Sequence, residues 1–173
     1  MILETDRLYL REMKQSDFVE LCRMLQDEEV MYAYEHAFSM EEAQEWLDKQ
    51  LKNYKDYRFG LWAVILKKTD KMIGQCGLTL QCWGERQVLE IGYLFQKEYW
   101  HNGYATEGTN GCKKYAFEEM DKDEVFAIIR DTNTASQNVA KRNGMKICGE
   151  FVKHYYHVDM PHLVFSVKRV TCK

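Results

Sequence analysis

Around Leu8 and Leu10, apolar positions alternate with polar ones, the period of a half-buried strand. Phe18, Leu21, Cys22 and Leu25 then recur at helical spacing, with Ser16 or Asp17 placed to cap that helix and Glu20 just inside it. A polar stretch at 27–29 leads into an irregular, aromatic segment at 30–38. Ser39-Met40-Glu41-Glu42 has the form of a capping box, and the helix it opens carries Ala43, Trp46, Leu47, Leu51 and Tyr54 on one face. A continuous apolar run at 61–66, a turn and a second strand at 72–80 read as a hairpin. A turn near Trp83-Gly84-Glu85 returns the chain into a strand at 88–95.

That strand runs into a loop around Gly103, and the loop opens a helix near Ala105 and Thr106 that extends to about Met120. Strand, glycine turn and helix N-terminus in this order form a device for holding phosphate. The first helical N–H groups have no partner in the helix, and the helix dipole favours an anion there. The expected ligand is therefore phosphate-bearing. Gly108 and Gly111 inside the helix predict close packing on a sheet. A buried strand at 125–129 follows, then a helix at 133–143 ended by Gly144. Strands at 145–152 and 163–170 close the chain, joined by a polar aromatic segment holding Pro161, the only proline. These pieces predict one mixed α/β domain spanning residues 1–173.

The net charge of −3 gives no global reason to expect nucleic acid or a membrane as partner. The N-terminal stretch is charged where a secretory leader would be apolar, and no run approaches ~20 apolar residues, so a cytoplasmic setting with reduced thiols is expected. No two of the six cysteines are spaced C-x-x-C, so no metal site is expected, and Cys76, Cys82, Cys112 and Cys148 read as packing residues.

Four segments, in order, resemble the GCN5-related N-acetyltransferase (GNAT) superfamily, in the branch holding the ribosomal-protein N-terminal acetyltransferases. They are Thr5-Asp6-Arg7-Leu8-Tyr9-Leu10-Arg11, Glu90-Ile91-Gly92-Tyr93, Trp100-His101-Asn102-Gly103-Tyr104-Ala105-Thr106-Glu107, and Asn133, Ser136, Val139, Lys141, Gly144 and Met145 in the last helix and the strand after it. The resemblance implies a mostly antiparallel sheet of about seven strands with about four helices. It also implies a parallel pair, here the strands at 89–95 and 125–129, that splays apart to form a wedge. Acetyl-coenzyme A as donor and a primary amine as acceptor follow from it. The pantetheine arm would pair with the strand edge. The pyrophosphate would take N–H groups from His101, Asn102, Gly103, Tyr104, Ala105 and Thr106. Gly103 lets the backbone approach phosphate oxygens, and His101 stands where the family has a small residue or glycine.

Acetyl transfer to an amine needs a neutral nucleophile, a donor for the developing oxyanion and a proton for the leaving thiolate. The family transfers by direct attack in a ternary complex. On this resemblance Glu90 is the candidate general base, and a backbone N–H near Leu94, Phe95 or Gln96 the oxyanion donor. The tyrosine that many members place near the thiolate is replaced by Ala140. Ser136, one helical turn earlier, is the candidate acid, with Tyr155 and Tyr156 as alternatives. Asn133 is expected to hold cofactor amides or cap its helix. Lys141 and Arg142 are candidates for the 3′-phosphate.

The segment 26–50 is rich in acid, which as a groove edge would attract a cationic amine. Glu35 and His36 in the aromatic connection, and the segment around Tyr155, are the expected acceptor walls. A protein N-terminal α-amine, a polyamine or an aminoglycoside all remain open as acceptor. A cofactor-binding sensor without transfer activity is the alternative from another class, and a homodimer is expected by analogy.

Overall fold

The computed structural model describes residues 1–34, 36–155 and 158–170, with the backbone alone at 155. The chain opens with a tight antiparallel pair, Leu3–Glu4 (β1) and Leu8–Arg11 (β2). Two helices follow, Phe18–Leu25 (α1) and Met40–Tyr57 (α2). A meander of Leu61–Leu66 (β3), Lys71–Trp83 (β4) and Arg86–Phe95 (β5) comes next. The second half runs Tyr104–Glu118 (α3), Glu124–Arg130 (β6), Thr134–Arg142 (α4), Lys146–Tyr155 (β7) and Val158–Lys168 (β8). The strands form one eight-stranded sheet in the order β1-β2-β3-β4-β5-β6-β8-β7. Every neighbouring pair is antiparallel except β5 and β6. The eighth strand is β1, whose two residues are too few to show an alternation in sequence.

Adjacent residues of β4 separate the two helical layers, because neighbouring side chains on a strand point to opposite faces. The Trp46 indole N–H of α2 donates to Gln75 Oε1 at 3.0 Å on one face. On the other, Gly108 of α3 faces Cys76, and an added Cβ there would make ordinary contact 3.6 Å from its sulfur. Of the two helical glycines, Gly111 is the one that close packing requires: a Cβ there would come 3.0 Å from the Leu3 and Thr5 side chains. Beneath α3 the fully buried Trp62 meets Tyr115 edge-on, ring centroids 5.4 Å apart. The α2 layer is tied to the sheet by Gln50 Oε1, which accepts the Leu61 N–H at 3.0 Å, and by the Tyr54 hydroxyl, which donates to the Leu61 carbonyl.

Three details depart from the sequence reading. The capping box at Ser39 and Glu42 forms, but Asp17 does not cap α1 with its side chain. Its buried carboxylate instead accepts two bonds from the Arg11 guanidinium, at 2.7 and 2.8 Å, and the Lys14 N–H at 2.9 Å. Burial alone would raise that carboxyl; the Arg11 and Lys14 contacts outweigh it and hold it below the usual range. Pro161 lies inside β8, not in a connection. Its carbonyl accepts the Asp131 N–H at 3.0 Å, and the N–H it lacks would point the same way, past the end of β6. Finally, Cys76 and Cys112 are buried as packing residues, whereas Cys82 and Cys148 are exposed.

Candidate active site

The parallel strands β5 and β6 are in register at a single pair, Glu90 and Phe126, and diverge beyond it. The ladder between β4 and β5 fixes what the divergence frees. The Gln96 N–H donates to the Ile73 carbonyl of β4 at 3.0 Å, and the register continues unbroken back along β5. Antiparallel alternation then turns the N–H groups of Leu94 and Gln96 toward β4, and those of Tyr93 and Phe95 toward the gap. Of the three expected oxyanion donors, only Phe95 thus presents its N–H to the wedge. Gln96 is displaced from it altogether, since its side-chain amide donates to Glu20 and to the Met72 carbonyl.

The wedge widens into a cleft of about 1740 Å³. Glu90, Leu94, Phe95, His101, Asn102, Gly103, Tyr104, Ala105, Thr106, Asn133 and Ser136 line it. At its mouth the loop before α3 holds two left-handed residues, His101 at φ 60° and Gly103 at φ 79°. The glycine or small residue usual at position 101 thus has a conformational reason, and His101 adopts the same backbone at some cost. The first bond of α3 runs from the Glu107 N–H to the Gly103 carbonyl, so the N–H groups of Tyr104, Ala105 and Thr106 precede the helical ladder. The Asn102 amide donates to the Tyr99 and Trp100 carbonyls, at 3.2 and 2.8 Å, and closes the loop on itself.

The opening strand explains its own motif here. Thr5 Oγ1 and the Arg7 N–H both donate to Glu107 Oε1, at 2.6 and 2.8 Å, and Arg7 Nε donates to Oε2 at 2.6 Å. The same guanidinium donates to the Asn102 carbonyl at 3.0 Å and lies 4.5 Å over the Tyr104 ring. Burial works to raise the Glu107 carboxyl, but the Thr5 and Arg7 donors overcome it and hold it low. Thr5, Arg7 and Glu107 therefore clamp the loop and first turn of α3.

On α4, Asn133 is the N-cap: its Oδ1 accepts the Ser136 N–H at 3.0 Å. Facing α4 across the gap is Tyr93, a residue the sequence reading left in its motif without a role. Its hydroxyl is buried and makes no hydrogen bond among the described residues. Burial pushes the phenol upward, and nearby Ser136 opposes the shift. Lys141 is exposed and does not line the cleft, whereas Arg142 does.

The opposite wall lies on the α2 face. Glu90 accepts the Ile128 N–H at Oε1 and the Thr79 hydroxyl at Oε2, both at 3.2 Å. It thereby fills the first place where the diverging strands leave an amide unpaired. Burial raises its carboxyl, with Lys153 and these donors acting the other way. His162, absent from the sequence reading, also lines the cleft. Its Nδ1 lies 2.8 Å from the Met160 carbonyl, so Nδ1 carries the proton and Nε2 keeps its lone pair. Burial lowers this imidazole, which keeps it neutral.

The expected acceptor residues fare differently. His36 does not line the cleft; its Nε2 lies 3.0 Å from Glu42 Oε1 and its ring packs near Phe38. Glu35, Tyr156 and the Tyr155 side chain lie outside the described residues. None of Asp27, Glu28, Glu29, Glu41, Glu42, Glu45 and Asp48 lines the cleft, so the described part of segment 26–50 does not give it an acidic edge.

The sequence pattern that defines the acetyltransferase (GNAT) domain matches residues 7–146. This chain belongs to the GNAT acetyltransferase family. The Bacillus subtilis protein YkkB is 37% identical over 144 residues, covering 83% of this chain and 84% of its own. A GNAT-family acetyltransferase from Bacillus anthracis shares the fold at a TM-score of 0.82, with 24% identity over 96% of this chain and 97% of its own. RimL, a ribosomal L7/L12 alpha-N-protein acetyltransferase solved with coenzyme A, shares it at 0.76, with 14% identity over 95% of each chain.

Proposed function

We propose that this GNAT acetyltransferase uses acetyl-coenzyme A and transfers the acetyl group to a primary amine by direct attack in a ternary complex. The observation that carries the reading is the freed amide row of Tyr93 and Phe95 leading toward the unladdered N-terminus of α3. A strand-like amide chain and a pyrophosphate are the two groups that such a path satisfies. The buried Tyr93 hydroxyl, without a hydrogen bond among the described residues, is a third place where the protein leaves a polar atom for a ligand. Acetyl-coenzyme A supplies an activated acyl group as a thioester.

The protein's own groups divide the remaining work. The loop amides at 102–106 and the α3 dipole hold phosphate, with the clamp of Arg7 and Glu107 fixing their geometry. The Phe95 N–H points into the wedge as oxyanion donor. Glu90 takes the amine proton: its raised pKa brings a carboxylate closer to the range in which a base works at neutral pH. Neutral His162 stands on the same wall as a second proton acceptor. Tyr93 and Ser136 donate toward the leaving sulfur, in place of the tyrosine that Ala140 lacks. The test is coenzyme A thiol release from purified protein with primary amines. Amine-dependent release at a rate well above background supports transfer, and binding without release with any amine leaves a sensor instead.

A further inference from the structure

The acceptor wall carries two cations that form no salt bridge among the described residues. Arg130 at the end of β6 and Lys153 on β7 both line the cleft, and both are half-buried. Among the described residues the Arg130 guanidinium makes one hydrogen bond, to the uncharged Tyr32 carbonyl at 3.3 Å. The two cations flank the proton-accepting groups: Lys153 acts electrostatically on both Glu90 and His162, and Arg130 on His162. Asp131, the next residue, is exposed and does not line the cleft. Among the described lining residues the carboxylates are Glu90, whose oxygens accept the Ile128 N–H and the Thr79 hydroxyl and which forms no salt bridge with Lys153, and Glu107, which Arg7 occupies at the far end.

Two half-desolvated cations in a substrate cleft are stabilised most by an anion that arrives with the ligand. We infer that the amine acceptor carries an anionic group, a carboxylate or phosphate near its primary amine, which seats between Arg130 and Lys153. The inference rests on the acetyl-transfer reading and narrows its acceptor. A polycationic amine meets like charge at this wall. The same field disfavours the ammonium form of a bound amine and so favours the neutral nucleophile. A small amino acid and a peptide N-terminus with an acidic residue beside it present the same chemistry.

Thiol release with full-length protein and acetyl-coenzyme A tests this in two matched series. One is γ-aminobutyrate, its amide and putrescine. The other is C-terminally amidated tetrapeptides beginning Ala-Asp, Ala-Asn and Ala-Lys. Within at least one series the acidic member is expected to exceed the neutral one by about tenfold in kcat/KM, with the cationic member lowest; which series responds separates the two sources. Arg130→Glu and Lys153→Glu should each erase that preference by raising KM for the acidic member, while calorimetry of acetyl-coenzyme A binding verifies that the variants are folded. Rates independent of acceptor charge, or highest for the cations, overturn the inference alone. Absence of both acetyl-coenzyme A binding and thiol release overturns the transfer reading and the inference with it.

Discussion

Around the Gly103 loop, what meets the cleft is main chain: the amides of Tyr93 and Phe95 and the first turn of α3. Across the sheet it is side chain: Glu90, Arg130, Lys153 and His162, from three different strands and a hairpin partner. The first region is one run of sequence clamped by Arg7 and Glu107. The second is assembled by the pairing of four strands, and its members Glu90 and His162 stand 72 positions apart in sequence. A backbone site recognises what every cofactor molecule shares, and its chemistry changes little when side chains change. A side-chain wall can be rewritten one residue at a time. The comparison therefore predicts that substitutions on the two sides separate cleanly into cofactor affinity and acceptor turnover.

The largest effect should come from the side-chain wall. Glu90→Gln should lower kcat by ~100-fold, the scale of one acid–base group, while acetyl-coenzyme A affinity stays within about twofold. Its stability sign is also fixed. The folded-state pKa of Glu90 is raised, so a charged Glu90 opposes folding above the ordinary carboxylate range. Thermal melts should show Glu90→Gln equal to or more stable than the parent at pH 7, with any gain vanishing as pH falls below about 4. A large loss of stability at neutral pH would make Glu90 a structural pin of the wedge instead.

On the backbone side, Gly103→Val should weaken acetyl-coenzyme A binding by about tenfold, since a β-branched residue at φ 79° costs ~1–2 kcal/mol and holds the loop off the phosphates. Saturating turnover should change little, and a fall in kcat at unchanged affinity would break the division. Tyr93→Phe joins the two sides. It should slow turnover several-fold and leave the fold equally or more stable, because the hydroxyl it removes makes no hydrogen bond among the described residues.

Asp17→Asn is expected to have the smallest functional effect, because Asp17 lies outside the cleft. It should cost about 2 kcal/mol at pH 7 through its buried pairing with Arg11. Its folded pKa is depressed, so this stability is present above the unfolded carboxylate value and lost as pH falls through the folded one. The gap between parent and variant in urea unfolding should close as pH drops below about 4. Activity should be retained; loss of it at full stability would tie this pair to the site.

Legibility in the sequence follows the same boundary. Helices, hairpin and the loop before α3 are readable because each is encoded by contiguous periodicity, by the capping box at Ser39, or by the glycine at 103. The roles of Thr5 and Arg7 were hidden because their partner, Glu107, lies a hundred residues away. His162 was obscured by Pro161, which reads as a loop residue but sits where its missing N–H faces no strand. The place of the acidic segment is not legible, because charge along a helix says nothing about which face meets the cleft. Gln96 was misplaced because one step along a strand reverses the direction of an N–H.

Whether the diverging strands and the Gly103 loop together hold acetyl-coenzyme A is tested by calorimetric titration of the purified protein with acetyl-coenzyme A, with ATP and NADH as controls. Saturable binding of one molecule per chain, selective over both controls and weakened by Gly103→Val, is expected. Absence of binding, or equal affinity for ATP, would contradict it.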